Sequence, residues 1–483
     1  GDVKVFTKYV KTIKSFSKKE FFEPEGNINL SFGGGGGAAG VGGEVEVYNA
    51  GLIETFGQSA HGIHGQSIGG GGGAGGAVEA ESANWQTFVS APTEYSSLTL
   101  GLSFGGTGGA GGDGGIVKVG HNAGGFINTH GYGSHAIFAQ SIGGGGGYGA
   151  QATANAEGFF YLGFSENGDG GSGGRGGAIT VDSQGYVQTW GDEAIGVFAH
   201  SVGGGGGSAA AGCTNSVVSF GSVLTGQSPC WGNYESEDGI TASEPDRGAW
   251  GSMSITLGGN PGTSDTGEDG GAVSVTIGNN DSSVTTRGSR SMGVVAQSIG
   301  GGGGYFSAPA EALKLTVLAP SAGANHSAGG TVDVVIQGSS VLNDAGSILT
   351  EGRGSWGILA QSLGGGGGFN GDPSLNLGLI ASNTLPNQCC GQYSTGADGG
   401  EVNITLQQNS SVITQGVNAH GIVAQSIGGG GGIAAGYDQS VDSLVYMGNP
   451  RSAEWGEGEL PALEWSGQGG EINIDIEQDA SVA

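Results

Sequence analysis

Beyond residue 19 the chain has almost no positive charge. Six of its 14 Lys and Arg residues (Lys4, Lys8, Lys11, Lys14, Lys18 and Lys19) lie in the first 19 positions, and only eight serve the remaining 464. Against 43 acidic residues this leaves a formal net charge of −29. Such a surface repels nucleic acid and anionic membranes and attracts divalent cations, so nucleic-acid partners are excluded. Long apolar runs are missing too. No window nears the ~18 consecutive apolar residues of a membrane helix, so no membrane span is expected in this segment. A signal-peptide pattern is also lacking, and no segment shows the 3.6-residue period with caps that marks a helix.

Cysteine is scarce. Cys213 and Cys230 are 17 residues apart in one insertion, spaced for a loop-closing disulfide, and Cys389 and Cys390 are adjacent. Three pairings are open. None has a C-x-x-C spacing or a nearby His, which argues against zinc. An even count in an acidic, Lys-poor chain favours an oxidising, extracellular compartment.

Glycine is abundant instead. With 112 Gly and 11 Pro among 483 residues, the composition sits at the edge of low complexity. No Gly-X-Y period runs through it, which excludes collagen. Six glycine quintets end AQSIGGGGG-like stretches, and aligning them reveals four segments recurring in fixed order. Segment A alternates apolar residues after a double glycine, as in Val117/Val119 and Val332/Val334/Ile336. Segment B is [Ile/Val]-x-Thr-x-Gly, as in Ile127-Thr129-Gly131. Segment C is the strand before each quintet, and segment D covers 27–32, 98–104, 159–165, 253–258, 313–318, 375–380 and 443–448. Period-two alternation marks strands with one buried face.

Length variation is confined to one slot, the arm between quintet and segment D, as in a stacked scaffold with loops on one face. The fold expected is all-β: a right-handed parallel β-helix or β-solenoid of glycine-rich repeats. An N-terminal basic arm (1–26) precedes a single solenoid (27–483) with repeats at 27–73, 98–147, 159–207, 253–304, 313–368, 375–432 and 443–483. Neither end reads as a cap, so a slice of a longer array is expected. One or two coils per repeat are both open.

Segment C is apolar on both faces in most copies, which predicts burial on both, with the arm or the glycine run as outer cover. Gln66, Gln140, Gln297, Gln361 and Gln425, with His200 as substitute, line up for a side-chain ladder. Ser67, Ser141, Ser201, Ser298, Ser362 and Ser426 line up for a second one. A quintet that never varies in length points to ordered packing, either as tight turns or as polyglycine layers hydrogen-bonded between repeats.

Chemistry has few footholds. His61, His135 and His420 precede segment C at one position, an exposed turn or, less favoured, a metal row. Asp113, Asp169, Asp269 and Asp398 sit in glycine-rich turns before segment A and are weak calcium candidates, without the nine-residue period of calcium-binding repeats. Otherwise no metal or cofactor is expected. Trp85, Tyr95, Trp231, Tyr234, Trp250, Trp455 and Trp465 could meet glycans or pin the arms, the latter favoured. No catalytic residues stand out.

The repeats AHGIHGQSIGGGGG (60–73), SHAIFAQSIGGGGG (134–147) and AHGIVAQSIGGGGG (419–432), with their three relatives, resemble those of large glycine-rich autotransporter passenger proteins of Gram-negative bacteria. The resemblance implies a surface-exposed or secreted β-helical stalk; no translocator barrel lies within the chain. The expected function is therefore a non-enzymatic, adhesin-like rod or fibre at the bacterial surface or outside the cell, serving attachment, matrix or filament assembly. Its partners would be further copies of itself and glycans or neighbouring cell surfaces. The alternatives are a polysaccharide-degrading β-helix enzyme, or a calcium- or ice-binding repeat module with segment B Thr as its row.

Overall fold

The computed structural model describes residues 25–82, 97–156, 160–209, 251–257, 268–278, 282–301, 305–306, 327–338, 346–365, 369–370, 397–429, 433–438, 441–447 and 467–483. These residues hold strands and no helix. Each repeat segment becomes one sheet, and each sheet runs along the stack. Segment A gives seven described strands, from Val45–Asn49 to Ile472–Ile476, and segment B seven, from Leu52–Thr55 to Ser481–Val482. Segment C gives six, from Ile63–Ile68 to Ile422–Ile427.

Every neighbour within these three sheets is the same segment of the next repeat, parallel and in register, as Val45↔Val117 and Gln66↔Gln140 show. The fold is thus a parallel β-solenoid with one coil per repeat, which settles the choice between one coil and two. Seven coils at about 4.8 Å make a stack of roughly 30 Å.

Sheets A, B and C close around a column of β-branched side chains. Val117, Val119, Ile127, Ile137 and Ala139 form one layer, and Ile179, Val181, Val187, Val197 and Ala199 the next. Burial alternates along most strands of the inner coils, as in Val117–His121 and Ile137–Ile142, in line with the period-two reading. Equivalent positions must stack in register, and a one-residue slip would turn each apolar set outward.

Segment D forms a sheet of four described strands: Glu25–Phe32, Ser97–Phe104, Phe160–Glu166 and Gly251–Leu257. Its first strand begins at Glu25, two residues inside the expected N-terminal arm. The copies at 313–318 and 375–380 lie outside the described residues. The copy at 443–448 departs from the expectation: Val441–Met447 pairs antiparallel with Ile433–Asp438 and joins another sheet.

The arms also begin with order, against the reading of them as wholly variable. Val78–Ser82 pairs with Ala152–Ala156, and Ser208–Ala209, Tyr305–Phe306, Phe369–Asn370 and Ile433–Asp438 pair in sequence. In the first coil this post-quintet strand lies against segment D, where Ser31 Oγ donates to the carbonyl of Glu79.

Candidate functional site

Between the A–B–C prism and sheet D the chain crosses twice, first through the quintet and then through the glycine-rich run before segment A. That second run, at 33–43, 105–115 and 167–177, was expected to be a turn. It is instead an extended strut lying antiparallel to the quintet: Gly70, Gly73 and Gly76 donate to the carbonyls of Gly40, Gly37 and Gly34. These bonds recur every third residue, the repeat of an extended left-handed helix of polyproline-II type. A second phase binds the next coil: Gly69 donates to Ile142, Gly72 to Gly145 and Gly75 to Tyr148.

The two runs zigzag along the stack axis. One row passes from Gly204 to Gly174, Gly144, Gly112, Gly70 and Gly40, each amide donating to the next carbonyl at 2.7–2.9 Å. Absence of side chains permits this approach: a Cβ on Gly144 would lie 1.8 Å from the Gly70 oxygen, and one on Gly146 2.0 Å from that of Gly171. The third quintet residue differs, because a Cβ on Gly71 or Gly145 meets nothing nearer than 3.9 Å. Nothing in the structure explains why that position is also glycine. Of the two readings, the polyglycine layer is the one found in the quintets described in full, 69–73, 143–147 and 203–207. A three-residue period is therefore present locally, and GGTGGAGGDGG (105–115) shows it in sequence, with Thr107 and Asp113 on the exposed phase.

The serine row does not form a ladder of its own. Each Ser Oγ donates to the glycine carbonyl before segment A of its own coil and accepts the equivalent glycine N–H of the next. Ser67 joins Gly43 and Gly115, Ser141 joins Gly115 and Gly177, and Ser201 joins Gly177 and Gly271. Ser298, Ser362 and Ser426 continue the pattern through Gly330, Gly400 and Gly470. The twelve bonds measure 2.6–2.9 Å.

The glutamine row does form side-chain bonds. Gln66 donates to Gln140 at 2.6 Å, Gln297 to Gln361 at 2.5 Å, and Gln361 to Gln425. His200 weakens the line, with Gln140 at 3.5 Å and its own Nε2 buried without a partner. This row lies on the outward face of segment C, which is half-buried at most positions and buried at Val295 and Leu359, so the cover expected for it is partial.

The segment B threonines turn inward. Thr129, Thr189, Thr286 and Thr350 are fully buried, and each Oγ1 donates to the carbonyl five residues on, closing the B–C turn. They offer no outward row for ice.

The candidate acids do not converge. Asp113, Asp269 and Asp398 share one row, interrupted by Arg175 and Ala328, and each carboxylate accepts a backbone N–H of the next coil: Arg175, Ala328 and Gln468. Asp169 lies in another row, where Gly108 donates to its carbonyl. Among the described residues no group of three His, Cys, Asp or Glu could hold a metal.

The histidines correct the exposed-turn reading. His61 and His135 stack at 4.9 Å, and their Nδ1 atoms accept the N–H of His135 and of Ile195. Burial lowers both pKa values, that of His135 to about 4. His420 is four coils away from His135, beyond Ile195, Met292 and Trp356, so the three histidines do not form one row. His121 is fully buried, and Asn49 and the Tyr186 carbonyl hold its two nitrogens.

One surface column escaped the sequence reading: Phe56, His130 and Trp190 stack, Arg287 lies 4.5 Å over the Trp190 ring, and Glu351 pairs with Arg287 at 3.1 Å. Each follows the Thr of segment B, so stacking the repeats would have revealed it. Cys213, Cys230, Cys389, Cys390, the basic residues of 1–24 and the seven arm aromatics lie outside the described residues. No family model, curated protein or solved structure matches the chain.

Proposed function

We propose that the chain is a non-enzymatic structural rod of the bacterial surface or the space outside the cell, adhesin-like, contributing to attachment or to matrix and filament assembly. One observation carries the reading. The polar side chains that recur along the stack, Ser, Gln (His200 in one coil) and the Thr of segment B, are engaged mainly in binding coil to coil or in closing turns. Chemistry that repeats along an axis holds a rod together, whereas catalysis needs unlike groups gathered at one place. The resemblance of the quintet repeats to autotransporter passengers supports the same reading, as does the acidic, Lys-poor composition.

Electron microscopy of the native material, with antibody labelling of intact cells, tests it. Rods or fibres on or outside the cell are expected. Monodisperse globular particles that depolymerise polysaccharide would overturn it in favour of a β-helix enzyme.

A further inference from the structure

We infer that the outward face of segment C is where two copies of this chain pair laterally, sheet against sheet. The inference rests on the rod reading and adds the mode of association.

The face comprises His64, Gln66 and Ile68 in the first coil and their equivalents in the five that follow. None of its positions is Asp, Glu, Lys or Arg, in a chain of net charge −29. Sheet A, by contrast, shows Glu46, Lys118, Asp182 and Asp333 outward. Two copies of so acidic a chain repel one another wherever acids meet, so a self-association surface must be one from which they are missing. The segment C face meets that condition over its whole length.

Its pattern suits a dry sheet-to-sheet contact. An outer apolar row (Ile68, Ile142, Val202, Ile299, Leu363 and Ile427) runs beside the glutamines. Ile68 and Ile427 are 52% and 48% exposed at the ends, and the others are half-buried. Burying glutamine is costly unless its amide is satisfied. Here much of that demand is met along the axis, since Gln297, Gln361 and Gln425 bond to one another. Amide ladders beside interdigitating aliphatic side chains are how stacked sheets pack at about 10 Å.

Six strands about 4.8 Å apart, each six residues at about 3.3 Å, give a footprint of roughly 500 Å² per copy. A pair would bury roughly 1,000 Å², the size at which a specific interface begins. An interface that joins the same face of two copies is closed by a two-fold axis, so the assembly is a dimer.

Sedimentation of the whole chain at graded concentrations tests this, with three double variants. I299K/L363K puts charge into the face. I299T/L363T removes aliphatic contact while keeping strand propensity. T180K/T276K adds the same charge to the outward face of sheet A. The native chain and T180K/T276K are expected to dimerise, I299K/L363K to remain monomeric, and I299T/L363T to pair at least tenfold more weakly. A monomeric native chain overturns the inference, as does a folded I299T/L363T that pairs like the native chain. Should I299K/L363K fail to fold, the threonine pair decides. Single, unpaired rods at the cell surface would overturn lateral pairing and leave the rod reading standing.

Discussion

The backbone N–H of Gly177 donates to Ser141 Oγ at 2.8 Å, across the boundary between two coils. Ser141 in turn donates to the carbonyl of Gly115 in its own coil. One buried hydroxyl thus satisfies a donor and an acceptor that lie in different repeats. Replacing Ser141 with Ala leaves both of these partly buried groups without that partner. The expected loss is about 1–3 kcal/mol, the usual penalty for an unmade buried bond. Gln140→Ala, on the half-buried face of the same strand, should be milder. Chemical denaturation of the two variants checks the order; equal losses would refute the staple.

The glycine lattice makes a sharper demand. Gly146→Ala places a methyl 2.0 Å from the Gly171 oxygen and 2.6 Å from the Gly207 nitrogen, so backbone must move. Gly145→Ala, one residue away, meets only the Gly205 oxygen at 3.9 Å. We expect Gly146→Ala to lower stability by about 3 kcal/mol or more, in the range of an overpacked core. Gly145→Ala should be neutral or gain up to about 1 kcal/mol from the reduced freedom of the unfolded chain. Similar melting of the two variants would show that the quintet is not packed as described.

Which of these features the sequence discloses follows from where side chains are. Segments A, B and C are legible because in-register stacking forces the same apolar type into each coil, as at Val117, Ile179, Val273, Val332 and Val402. The polyglycine partners are not. A residue without a side chain carries no phase, and the three-residue period is marked only where a run holds other residues, as at Thr107, Ala110 and Asp113 or Asp169, Ser172 and Arg175. The serine row is visible, but a sequence cannot say that its partners are backbone atoms of the glycines before segment A. The partner of Asp113 is hidden for the same reason: it is a backbone N–H, which leaves no pattern in the sequence.

The buried threonines offer a nearly isosteric test. Thr129 Oγ1 donates to the Ser134 carbonyl at 2.6 Å inside the B–C turn. Thr129→Val keeps the shape and removes the donor, leaving that carbonyl unpaired. A loss of about 1–2 kcal/mol is expected. An unchanged denaturation midpoint would place the stability of the turn elsewhere.

The histidines set the response to acid. Burial is the largest cause holding His61, His121, His135 and His200 below the ordinary histidine value. Their neutral forms are therefore the folded forms. Above about pH 6.5 both folded and unfolded rings are neutral, and the stability they allow is fully present. As pH falls, the unfolded rings take up protons first, so stability declines from about pH 6.5 and, for His135, continues to decline to about pH 4. The loss attached to that one ring is at most about 3 kcal/mol. Met292 occupies the matching position two coils further on, so His135→Met should fold and flatten the slope. Melting temperatures of the two proteins at pH 7.5, 6, 5 and 4 measure this directly. Parallel curves would mean that His135 is not the group that acid acts upon.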